Sequence, residues 1–136
     1  MAADYEIVAS QSTVEVLDGA TAVNVIEISA RAVPSNVVFS VRFPPAISDP
    51  ASISGILAVW AGWYNELAAT PGVVAVQFTQ NINAANQLVD GMAVTISSTS
   101  GRMNFTRYDI PLSGTVAQWQ EAVAETRAQL DAIEAA

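Results

Sequence analysis

Val, Ile, Ser and Thr dominate Tyr5 to Leu17, and a loose two-residue alternation predicts a β-strand there. Asp18-Gly19 follows, a strong hairpin signal, because glycine accepts the positive φ that such turns require. Thr21 to Val33 is the return strand, with Val23, Val25, Ile26 and Ile28 as apolar positions. Pro34-Ser35-Asn36 is a second turn. Val37, Phe39, Val41 and Phe43 then alternate with Val38, Ser40 and Arg42, which predicts a half-buried strand with Arg42 on its outward face. Pro44-Pro45 ends it, since proline donates nothing to a ladder.

The period then changes. Ser48 or Asp49 is a suitable N-cap, and Pro50 suits the first helical position. Ile53, Ile56, Leu57, Trp60, Trp63, Tyr64 and Leu67 form one stripe at helical spacing, and Pro71-Gly72 stops the helix. The opposite face carries Gly55, Ala58, Val59 and Gly62, with no charge before Glu66. A helix that is small or apolar all round is normally covered on both sides.

The second half repeats the order. Strands are predicted over Val73 to Ile82, Leu88 to Ser97 and Arg102 to Ile110, separated by turns at Asn83 to Gln87 and Ser98 to Gly101. A helix capped by Ser113 or Thr115 runs to about Ala135, with Val116, Trp119, Val123, Leu130 and Ile133 inward and Gln118, Glu121, Glu125, Gln129 and Glu134 outward. Sliding the chain against itself brings Val8 onto Val74, Gln11 onto Gln77, Phe39 onto Phe105 and Pro45 onto Pro111 without a gap. The expected fold is α+β. It is a single domain over 1–136 made of two β-β-β-α pseudo-repeats, about 5–70 and 73–136, with antiparallel sheet or sheets and two helices packed on one face.

Composition narrows the chemistry. Hydrophobic residues are 51% and charged residues 13%, too apolar for a disordered chain. Histidine, cysteine and lysine are all absent, and the five basic residues are all arginine. Thiol catalysis, Schiff-base chemistry and His- or Cys-based metal sites are therefore closed. No glycine-rich phosphate loop, calcium loop or nucleophile elbow occurs. Asp49, Asp90 and Asp109 lie near element ends, where turn or cap roles explain each. No catalytic, cofactor-binding or metal-binding residue is expected. A net charge of −8 repels phosphate backbones, so no nucleic-acid partner is expected. No stretch reaches the roughly 20 apolar residues that a membrane helix needs, so no membrane partner is expected either.

What remains is surface. Gly55, Val59 and Gly62, with Trp60 and Trp63, are interface candidates, because tryptophan anchors interfaces and glycine lets a second backbone approach. Arg42 and Arg107 occupy the third strand of each half and are candidates to pair with acids of a neighbouring subunit.

Residues Tyr5 to Phe43, with Thr13-Val14-Glu15-Val16-Leu17-Asp18-Gly19 turning into Val23-Asn24-Val25-Ile26, resemble the opening hairpin of small virion structural proteins of tailed bacteriophages. The alanine-rich, lysine-free composition resembles such proteins from GC-rich hosts. The resemblance implies a non-enzymatic capsid decoration (cement) protein, or a head or tail accessory protein. Its partners would be further copies of itself and the major capsid protein, on the virion surface after a period in the host cytoplasm. The residues alone leave open a peptide or small-molecule binding module with a Trp-lined pocket, and an enzyme that uses acids alone.

Overall fold

Strand alternation in each half builds one three-stranded antiparallel sheet, and the helical stripe that follows adds one helix, in an α+β fold. The computed structural model describes residues 3–17, 21–43, 49–82, 84–86 and 88–136. Asp18-Gly19, Pro44-Pro45, Ser48, Asn83 and Gln87 lie outside the described residues. The chain divides into two compact units, Met1–Asn65 and Glu66–Ala136.

The first unit contains β1 (Tyr5–Leu17), β2 (Thr21–Ala32), β3 (Val38–Phe43) and most of α1 (Pro50–Ala68), with sheet order β1-β2-β3. Pairs that share a face alternate between apolar and polar. Ala30 faces Phe39 and Ile28 faces Val41 on one side. On the other side Ser29 faces Ser40, their hydroxyls 2.8 Å apart, and Glu27 faces Arg42. The apolar side receives α1: Tyr64 stacks on Phe39 with ring centroids 5.2 Å apart, and both are buried. Such a pair adds about 1 kcal/mol beyond the area it buries. Asp49 is the cap of α1, its carboxylate accepting from the Ser52 amide at 3.0 Å. Asn36 supplies the left-handed residue of the β2–β3 turn, φ 64°.

The second unit contains β4 (Val73–Ile82), β5 (Leu88–Ser97), β6 (Asn104–Arg107) and α2 (Val116–Ala135), with sheet order β4-β5-β6. Thr115 caps α2 in a reciprocal box with Gln118. Trp119, Val123, Thr126 and Leu130 are the buried face of α2. Ile133, expected inward, is 59% exposed. In the last turn it is Glu134 that meets the sheet side, accepting from Ser98 at 2.9 Å and from Ser100 at 2.6 Å. β6 is shorter than the predicted 102–110. Asp109 turns back to hold the Arg107 guanidinium, and the ladder ends there.

The two units are built to one plan at an offset of 66 residues. β3 and β6 begin at Val38 and Asn104, and α1 and α2 at Pro50 and Val116. The bulge between Ile7 and Ala9 recurs between Val73 and Ala75. The Ser29–Ser40 hydroxyl pair recurs as Thr95–Thr106. The turn between the second and third strands is gripped by the same helix position in both. Asn65 donates to Val33 O and accepts from Ser35 N, and Asp131 accepts from Thr99 N at 2.7 Å. The packing differs where the helix sequences differ. Phe39 is 1% exposed, whereas Phe105 is 53% exposed, because Leu130 stands where Tyr64 does and supplies no ring to stack on it.

Candidate docking surface

The inward stripe of α1 falls differently from the sequence expectation. Leu57, Ala61, Tyr64 and Leu67 are buried, while Ile53, Ile56, Trp60 and Trp63 are half-buried. Gly62, expected on the open face, is itself buried. It lies nearly opposite Leu57 and Tyr64 round the helix, in line with Ser54 and Ala58, the side on which Ala3 N donates to Ala58 O at 3.0 Å and Tyr5 donates to Ser54 at 3.1 Å.

What stays open is a shallow apolar groove of about 600 Å³ on α1, lined by Ser52, Gly55, Ile56, Val59, Trp60 and Trp63. Gly55 is exposed, and a Cβ added there would meet nothing within 4 Å. Val59 is 37% exposed. Trp60 and Trp63 meet edge to face at 4.9 Å, and Trp60 lies over Tyr64 at 6.0 Å. The rings thus run from the core, at Phe39 and Tyr64, out to the surface. Four of the seven interface candidates are gathered here: Gly55, Val59, Trp60 and Trp63.

The two arginines are used within the chain. Arg42 Nε lies 3.1 Å from Glu27 on the polar face of the first sheet, and Gln11 donates to the same carboxylate at 3.0 Å. Arg107 donates Nε and Nη2 to Asp109 at 2.8 and 3.0 Å, and Nη1 to Ala122 O and Thr126 Oγ1. It thereby ties β6 to α2. The hydrogen-bonded Asp109 raises the Arg107 pKa above its ordinary value, and the same bond lowers that of Asp109. Asp131 is likewise lowered, chiefly by the Thr99 hydroxyl and then by the Thr99 amide.

The carboxylates weighed for catalysis have local partners. Asp49 caps α1, Asp109 holds Arg107, and Asp90 accepts from Gln80 at 3.3 Å. Among the described residues, no group of three acids is placed to hold a metal ion.

A second groove, of about 590 Å³, opens in the second unit between β6 and α2. Phe105, Tyr108, Glu125, Thr126 and Gln129 line it with Arg107, and Tyr108 is 67% exposed. Sequence reasoning did not single out Phe105 or Tyr108. The available signal was the repeat itself: Phe105 matches Phe39, but the ring opposite it is missing.

Comparison with known proteins found no matching family model, no similar curated protein and no matching solved structure. Among the described residues, no helix is long and apolar enough to cross a membrane.

Proposed function

We propose that this chain is a non-enzymatic structural protein that docks into a larger assembly, with capsid decoration on a phage virion as the specific role. The observation that carries the reading is the α1 groove. A helix with Trp60, Trp63 and Val59 open beside Gly55 presents apolar surface without charge, and burying it is favourable at about 25 cal/mol per Å². A partner covering that face gains two tryptophan anchors and meets no charge among the groove residues. The absence of histidine, cysteine and lysine favours the same reading over catalysis. A Trp-lined binding pocket is less favoured, because the groove is lined by α1 alone and is shallow.

Gradient sedimentation of particles from cells that produce the protein tests this. The chain is expected in the particle fraction, and Gly55→Arg is expected to move it to the free fraction without loss of helicity. Wild-type chain found solely among free proteins contradicts the proposal.

A further inference from the structure

β1 is a strand of 13 residues, roughly 44 Å of extended backbone. It forms one edge of the first sheet, with β2 on its inner side. Its outer side carries a row of backbone N–H and C=O groups that no strand pairs among the described residues. Both its faces are open as well. Glu6 to Ser12 and Val14 are all exposed, with Ile7 at 61%, Val8 at 48% and Val14 at 62%. Protected edges are short, or carry a charge or a proline that turns a second strand away. From Ile7 to Val14 there is no charge, no proline and no glycine. The bulge between Ile7 and Ala9 lies towards one end, and Ala9 to Leu17 pair with β2 in unbroken register. Such an edge accepts another extended strand, because a strand matches its backbone groups.

The order of residues in β1 points to which strand. Gln11 is the midpoint of Tyr5–Leu17. Around it Ser10 matches Ser12, and Val8 matches Val14. Two copies of β1 placed antiparallel about Gln11 therefore overlap along the whole strand. Serine lies opposite serine, and exposed valine opposite exposed valine. By position, neither Glu6 nor Glu15 falls opposite an acid, which matters between copies of a chain with net charge −8. We propose that β1 pairs antiparallel with β1 of a second copy about a two-fold axis at Gln11, joining two three-stranded sheets into one. The same surface serves both copies, so the contact is isologous and closes at a dimer. The inference does not rest on reading α1 as a docking face.

The chain has no cysteine, so a single introduced thiol reports a single contact. Gln11→Cys puts thiols on directly opposed residues, where strand pairing holds the Cα atoms about 4.5–5.5 Å apart, within disulfide reach. Mild oxidation should link most of this variant into a dimer that survives denaturing electrophoresis. Val14→Cys lies roughly 20 Å from its own copy in this register and should stay unlinked. In light scattering the wild type should approach twice the 14.3 kDa of one chain as concentration rises. Val8→Lys combined with Val14→Lys sets lysine opposite lysine, and should weaken dimerisation by roughly tenfold while circular dichroism stays unchanged.

A wild-type chain that stays monomeric at every concentration overturns the proposal, while particle association by α1 would still be judged by sedimentation. Gln11→Cys that stays unlinked, or that links no more than Val14→Cys, overturns it too, even if the chain dimerises by another surface. A lysine double variant that is folded and dimerises like the parent is equally contrary.

Discussion

Asp131 and Asn65 hold the same place in the two units, and their chemistry differs by one ionisation. Asp131 accepts from the Thr99 amide and hydroxyl at 2.7 and 2.6 Å, and these bonds lower its pKa below the ordinary 3.8. A depressed carboxylate stabilises the fold above its unfolded pKa, and the contribution is lost as pH falls through the folded value. Wild-type stability should therefore decline in acid, with Asp109, lowered by Arg107, contributing in the same direction. Asp131→Asn copies the first unit's residue, keeps an acceptor for the Thr99 amide, and should flatten part of that decline. Urea unfolding at pH 7 and at pH 3 measures the difference. Gly72 is a second residue with a definite demand. Its φ is +95°, and an added Cβ would lie 2.9 Å from Arg127 Cδ. Gly72→Ala should cost about 1–3 kcal/mol through the left-handed backbone, the close contact being with a flexible side chain that can shift, read as a lowered Tm.

At the scale of elements, the strands and helix starts were legible, and the faces of α1 were not. Alternation over Tyr5 to Leu17, Val73 to Ile82 and Leu88 to Ser97 marks strands with those same bounds. Proline and a capping residue mark the start of α1. The β6 end was missed because an arginine–aspartate pair two residues apart decides it, and periodicity is blind to that pair. The covered face of α1 was misplaced because a helix without charge from Pro50 to Asn65 has no polar side to orient it. Gly62 shows the consequence. Gly62→Arg buries a charge and should unfold the domain, whereas Gly55→Arg, at an exposed position where an added Cβ meets nothing within 4 Å, should leave circular dichroism unchanged. Thermal melts of the two variants distinguish the positions directly. Of the candidate surface, the tryptophans were readable from their residue type. The groove at Phe105 and Tyr108 depends on which ring is missing from α2, which becomes visible once the units are compared.

At the scale of the whole molecule, one β-β-β-α plan is used twice with different surfaces. The first unit ends in an apolar helix face with two open tryptophans, and the second in an aromatic-edged groove walled by Glu125 and Gln129. The net charge of −8 sets a further expectation: no binding to duplex DNA at physiological salt. Fluorescence anisotropy with a labelled duplex checks it, and a salt-dependent affinity tighter than about micromolar contradicts the charge argument. The central claim is that the tryptophan face of α1 is covered when the protein is at work. Hydroxyl-radical footprinting read by mass spectrometry, on the chain in the particle fraction and on the free chain, tests this most directly, with buried Trp119 as internal reference. Oxidation of Trp60 and Trp63 should fall together in the particle fraction while Trp119 stays low in both. Equal oxidation of both tryptophans in the two fractions would contradict the account.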